Sequence, residues 1–251
     1  MSGHSKWSTI KRKKEKTDAQ RGKIFTKIGR EITVAVREGG PDPASNSKLK
    51  DAIAKARANN VPNDNIERML KKAAGESGGA SYEEIVYEGY GPSGVAVIVE
   101  ALTDNRNRTA GEMRHYFDKY GGNLGQSGSV GFLFSRQGLL LVESEGNPHS
   151  GTIDEDALME AALEAGAVDF LAEGTGFFEI RTEPNDLSAV RDALTAQGYG
   201  FVSAQVEYIP NTQVALSAEG DIKNMNRLLE MLEDNDDVQE VWHNWENSEE
   251  E

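Results

Sequence analysis

The chain has 251 residues, 37% hydrophobic and 27% charged, which is enough to bury a core and too apolar for a disordered polyelectrolyte. It contains no cysteine, so disulfides and thiolate-held metals are excluded. The net charge of −15 is laid unevenly: residues 1–75 carry 18 Lys+Arg against 8 Asp+Glu, while residues 76–251 carry 9 against 34. That split, +10 against −25, points to a basic working end on an acidic body.

Residues 1–22 read as a polar arm centred on Lys11-Arg12-Lys13-Lys14-Glu15-Lys16. Its cations are not followed by an apolar stretch, so it does not resemble a secretory signal. From 18 to 38 the pattern is helical, with Phe25, Ile28, Ile32, Ala35 and Val36 on one face and Lys23, Lys27, Arg30 and Arg37 on the opposite one. Gly39-Gly40-Pro41 stops that helix. A second helix is expected over 44–59, burying Leu49, Ala52, Ile53 and Ala56. A third, over 64–74, opens after Pro62 with Asp64 and Glu67 in capping-box spacing and buries Ile66, Met69, Leu70 and Ala73. Residues 75–79 read as a linker.

Beyond residue 80 strands alternate with helices. The apolar runs at 95–99 and 139–142 are strand-sized and too short to span a bilayer. A strand at 95–102 and a helix at 108–119 precede a strand pair (131–135 and 138–143), a helix opening at Asp154-Glu155-Asp156 and strands at 167–172 and 176–181. A helix over 185–196 and a strand over 201–208 bring 130–209 close to a βαββαβ count, the ferredoxin-like arrangement. A strand–helix–strand unit follows (213–217, 221–232, 238–242), then an acidic tail from 246 to 251 that should fray. Each flank of 130–209 is half a sheet and would leave an apolar face uncovered, so the flanks are expected to pair. The expected fold class is α+β: a three-helix domain followed by two ferredoxin-like α/β domains, one inserted into the other. The boundaries are 1–79 for the basic helical domain, 80–129 plus 210–246 for a discontinuous α/β domain, and 130–209 for the insert. The reducing conditions that suit a cysteine-free chain make the cytoplasm the expected location.

Clustered cations suit a polyanion, because several phosphates neutralised together release their counterions. The candidate nucleic-acid contacts are Lys6, Trp7, Lys11, Arg12, Lys13, Lys14, Lys16 and Arg21 in the arm and Lys23, Lys27, Arg30 and Arg37 in the first helix. Lys48, Lys55 and Arg57 in the second helix, beside Lys50, extend the set. A solvated face is the ordinary reading of one basic stripe, but here cations recur over three elements of an otherwise acidic chain. Trp7 fits stacking on a base and equally a plug that pins the arm. The loop 103–109 adds Arg106 and Arg108 as a backbone clamp beside a helix start. Capping by Asp104, Asn105 or Asn107 accounts for part of that loop but does not call for the arginines.

Other signals are weak. Gly89-Tyr90-Gly91-Pro92-Ser93-Gly94 matches G-x-G-x-x-G, yet a strand follows it and it contains proline, so it reads as a turn. The four histidines are scattered without ligand spacing, and Asp234-Asn235-Asp236-Asp237 lacks the glycine and distant glutamate of a calcium loop. It reads as a helix-to-strand turn. With no nucleophile elbow or triad pattern, no catalytic residue, metal or cofactor is expected.

Several motifs occur together: Gly3-His4-Ser5-Lys6-Trp7, Arg21-Gly22-Lys23-Ile24-Phe25-Thr26-Lys27, Asn60-Val61-Pro62-Asn63 before Ile66-Glu67-Arg68, Tyr87-Glu88-Gly89-Tyr90-Gly91-Pro92, the loop 103–109, and Gly121-Gly122-Asn123-Leu124-Gly125. In this order they resemble the YebC/PmpR family, which includes the mitochondrial translational activator of cytochrome c oxidase, over essentially the whole chain. The resemblance implies a helical domain, two α/β domains and no catalysis. It also implies either DNA-binding transcriptional regulation or a ribosome-associated role in translating proline-rich stretches. The expected partners are accordingly rRNA or tRNA on the ribosome, or promoter DNA, with ribosomal proteins as a further class. No membrane or small-molecule substrate is expected. The lack of a helix-turn-helix, homeodomain or zinc-finger pattern leans toward RNA. The acidic tail and Gly29, in mid-helix, depart from the pattern, and the glycine costs about 1 kcal/mol relative to alanine.

Overall fold

Apolar spacing near 3.6 residues organises the amino-terminal part of the computed structural model, which describes residues 18–75, 81–145, 151–172 and 176–246. Three helices result: α1 (Asp18–Gly39), α2 (Ser47–Ala58) and α3 (Asn63–Gly75). Ile28, Ile32, Ala35 and Val36 of α1 meet Leu49, Ala52, Ile53 and Ala56 of α2 and Ile66 of α3 in one core. Helix α2 begins three residues later than its apolar spacing suggests, because buried Asn46 takes the cap. Its Oδ1 accepts from Leu49 N–H at 3.0 Å, while its Nδ2 donates to the carbonyls of Ala35 (2.7 Å) and Gly40 (2.8 Å). One side chain thus satisfies the end of α1 and the start of α2.

The rest is built on two four-stranded antiparallel sheets. In chain order the elements are β1 (Glu83–Tyr90), β2 (Ala96–Thr103), α4 (Arg106–Lys119), β3 (Asn123–Leu124), β4 (Phe134–Glu143), α5 (Glu155–Glu164), β5 (Asp169–Ala172), β6 (Phe177–Thr182), α6 (Leu187–Ala196), β7 (Ser203–Pro210), α7 (Glu219–Asp234) and β8 (Val238–His243). The first sheet has the order β3-β1-β2-β8 and the second β5-β6-β4-β7. The chain leaves the first sheet after β3, completes the second, and returns with α7 and β8. The fold is α+β with a helical amino-terminal unit.

Strand β2 has few polar positions because both of its faces are covered. Val97 and Val99 pack under α4 and α7 with Met113, Phe117, Met225 and Leu228. Ala96 and Ile98 point the other way, toward Trp242, Val130 and Phe134, where the two sheets meet. There the Trp242 ring meets Tyr208 edge-on at 4.9 Å and its indole N–H donates to buried Glu207. The second sheet buries Leu140, Val142, Phe178 and Ile180 beneath Leu158 and Ala162 of α5 and Val190 and Leu194 of α6.

Three elements depart from the sequence expectation. The strand pair 131–135 and 138–143 is one continuous central strand, β4, preceded by a 3-10 turn at Gly131–Leu133. Gly138 is a point of close approach: a Cβ there would lie 2.1 Å from Thr182 Oγ1 and 2.9 Å from Leu187 Cβ. Strand β1 is absent from the sequence expectation and carries no clean alternation; Gly89 lies within it at another close approach, since a Cβ would meet the Asn123 carbonyl at 2.7 Å. The stretch 213–217 makes one bridge, Val214 to Trp245, with Leu216 buried in the first core. The match at Gly89–Gly94 is a hairpin turn, in which Gly91 N–H donates to the Val95 carbonyl at 2.7 Å.

Candidate nucleic-acid interface

The last carbonyls of a helix lack partners and carry the negative end of its dipole, so cations collect there. Helix α7 ends in Glu233 and Asp234, and Asp236 and Asp237 follow at once. The basic stripe of α1 meets this end. Lys23 Nζ lies 3.0 Å from Asp234 Oδ1, and Lys27 Nζ donates to the Glu233 carbonyl at 2.8 Å. Arg30 donates to the carbonyls of Asp236 (2.8 Å) and Leu102 (3.2 Å) and to Asp237 Oδ1 (2.6 Å). Further along, Arg37 donates to Ser81 Oγ at 2.9 Å and the Tyr82 carbonyl at 3.0 Å. The stripe therefore faces the acidic body.

Asp237 gathers the neighbouring groups. Its carboxylate accepts from Arg30, from Arg108 at 2.7 Å, from Thr109 at 2.8 Å and from Thr103 at 3.1 Å. Burial opposes its charge, but these donors outweigh burial and hold its carboxyl at about 2. The loop 103–109 is consumed by the same network. Asn105 Oδ1 caps α4 by accepting from Arg108 N–H at 3.1 Å, Arg108 also pairs with Asp104 at 2.9 Å, and Arg106 pairs with Glu83 at 2.9 Å. The clamp expected of these arginines is spent on carboxylates of the fold in this structure.

Helix α2 is tied to both sheets. Lys55, with 26% of its side chain exposed, sits 2.7 Å from Glu31 and 3.3 Å from Glu240 of β8. Burial disfavours its ammonium, yet the two glutamates hold its pKa above the ordinary value. Glu100 on β2, directly across from Glu240, shares this interface. Burial and the Glu84 carboxylate push it up to about 7, against the pull of Lys55, and Glu240 and Glu31 add to the rise. On the other side Lys50 pairs with Asp192, and Asp51 accepts from Arg191 of α6 at 2.6 Å. Lys48 pairs with Glu38 at 2.8 Å. The helical unit is thus held by ion pairs to the first sheet through α1 and α2 and to the second through α2.

Of the cations singled out from sequence, Lys6, Lys11, Arg12, Lys13, Lys14 and Lys16 lie outside the described residues, as do Trp7 and the side chain of Arg21. The linker at 76–79 and the tail from 247 do also. Lys23, Lys27, Arg30, Arg37, Lys55 and Arg108 converge on the body; Lys48 and Arg106 form outward ion pairs with Glu38 and Glu83. Arg57 is exposed, with no ion pair to a described residue. On α3 the exposed Arg68 reaches, among the described residues, Asn65 at 2.8 Å, and Lys71 lies 3.9 Å from Glu67. These two were not singled out from sequence, although they recur at near-helical spacing opposite Ile66 and Met69. Asp237 also went unread as a hub, because a run of acidic residues after a helix looks like a turn. Among the described residues no three histidines or carboxylates are grouped to hold a metal, and no helix is long and apolar enough to cross a membrane.

A basic helical unit clamped by ion pairs onto two acidic antiparallel sheets, the second threaded into the first, defines a class of three-part α+β proteins. Two family models match the chain: the TACO1/YebC protein N-terminal domain over residues 5–76, and the TACO1/YebC second and third domain over residues 82–245. The chain belongs to the TACO1/YebC family. Similar proteins include one from Caldicellulosiruptor bescii, 60% identical over all of both chains, and one from Acetivibrio thermocellus, 60% identical over 98% of this chain and 99% of the relative. Each is named "Probable transcriptional regulatory protein". The crystal structure of a conserved hypothetical protein from Aquifex aeolicus superposes with a TM-score of 0.79, at 46% identity over 92% of both chains.

Proposed function

We propose that the chain is a regulator of gene expression that binds nucleic acid without modifying it, acting in the cytoplasm as a ribosome-associated, RNA-binding translation factor that aids synthesis through proline-rich stretches. The observation that carries this reading is the charge split, +10 over residues 1–75 against −25 beyond. With the α1 stripe engaged by the body, the contact falls to the arm, Lys6 to Arg21, and to the outward cations Arg57, Arg68 and Lys71. A cationic arm carrying one tryptophan suits an irregular RNA surface, and the sheets would face away from the polyanion or toward basic ribosomal protein. The working units are residues 1–79 for binding, 80–129 with 210–246 as the platform, and 130–209 as an insert. The names of the relatives favour a second reading, in which the same basic end holds promoter DNA, mainly by its backbone.

Gradient fractionation of native lysate with and without nuclease separates the two. Co-migration with ribosomes that survives DNase and is lost in high salt supports the translation reading. DNase-sensitive association away from ribosomes supports the transcription reading. Migration as a free protein under all conditions overturns both.

A further inference from the structure

Residues 137–180 contain ten Asp+Glu and not one Lys or Arg. Within this stretch α5 keeps Leu158, Ala161 and Ala162 for the core and turns two rows outward. In one row Met159 and Leu163 stand one helical turn apart, 38% and 51% exposed. In the adjacent row Asp156, Glu160 and Glu164 repeat every fourth residue, all exposed. The chain then folds back, Gly166 N–H donating to the Leu163 carbonyl at 3.1 Å, and Val168, 51% exposed, extends the apolar row toward edge strand β5. None of the three carboxylates is ion-paired to a described residue. Like charges four apart on a helix repel one another, so this row destabilises the isolated helix and is relieved by a cationic partner.

We propose that this face is a docking surface for a basic amphipathic protein segment, one with apolar side chains at helical spacing between lysines or arginines. Charge selects the occupant. A nucleic acid or an anionic membrane would be repelled, and a second copy of the chain would bring two carboxylate rows together. Three apolar side chains make a small anchor, so the complex is transient and salt-sensitive. The surface shares no residue with the basic end, and failure of either reading leaves the other standing.

The test is fluorescence anisotropy of a labelled helical Leu/Lys peptide titrated with the full chain, beside an oligolysine of equal charge and an acidic Leu/Glu peptide. The Leu/Lys peptide is expected to bind at least about fivefold tighter than oligolysine, and the Leu/Glu peptide not at all. The double variant M159S/L163S, substituted at exposed positions, should weaken binding about tenfold. E160Q/E164Q should flatten its salt dependence. Circular dichroism would establish that both variants remain folded. Binding unaffected by M159S/L163S would place the peptide elsewhere on the acidic body and overturn the proposal. So would sedimentation showing that wild-type chains self-associate through this face.

Discussion

A carboxylate that accepts from two arginines and two threonines, with 5% of its side chain exposed, has exchanged hydration for directed bonds. Asp237 is therefore depressed relative to the unfolded chain, where an aspartate titrates near about 3.9. A depressed carboxylate contributes stability above its unfolded pKa and loses it as pH falls through the folded one, here about 2. D237N should cost roughly 3–5 kcal/mol in denaturant unfolding at pH 7, since the enclosed Arg30 loses its counter-charge and Arg108 is left with Asp104 alone. The gap between variant and wild type should narrow as pH falls from about 4 toward 2. Glu100 has the opposite sign. Raised to about 7, it favours its protonated form in the folded chain, so stability rises as pH falls from about 7 toward the unfolded value near about 4.3. E100Q should raise the melting temperature at pH 8 and remove that part of the pH slope. An unchanged slope would assign it to other groups.

At the scale of elements, glycine read in isolation misleads. Gly138 looks like a hairpin break, yet it lies in mid-strand because Thr182 and Leu187 leave no room for a Cβ. G138A should destabilise by about 1–3 kcal/mol, and combining it with T182A should recover part of the loss in a double-mutant cycle. Gly29 is the contrary case. A Cβ there would touch Met69 at 3.8 Å, an ordinary contact, so G29A should stabilise α1 by about 1 kcal/mol in thermal unfolding. The arm belongs to this scale too. Replacing Lys11, Arg12, Lys13 and Lys14 with alanine should weaken nucleic-acid binding on all sequences and shallow its salt dependence; an unchanged slope removes the arm from the interface. Helices were legible because ten or more residues of one periodicity average out local noise, and β4, α5, β5, β6, α6 and β7 were legible as a count of alternating elements. Strand β1 was not, since an edge-flanking strand with exposed glutamates has no clean alternation. The destination of the α1 stripe was illegible for another reason. A cationic face opposite an apolar one is the same pattern whether it meets phosphate or the carbonyl end of α7.

Across the whole molecule, docking of the helical unit rests on charge as much as on apolar contact. Lys23, Arg30, Lys50 and Lys55 each reach a carboxylate on another unit, and pairs exposed at the rim are screened by salt while the enclosed ones are not. Small-angle scattering of the triple variant K23A/K27A/R30A should show an enlarged radius of gyration; an unchanged radius would mean that α2 alone holds the unit. The return of β8 to β2 also has a consequence in time. A nascent chain emerging from its tunnel can complete β4 through β7 as a contiguous stretch, but β2 waits for β8 with one edge open, and the cations of α1 wait for the end of α7. The first sheet therefore becomes whole only when α7 and β8 have been made, a vectorial order that leaves the earliest-born unit, its own core already complete, among the last to find its seat.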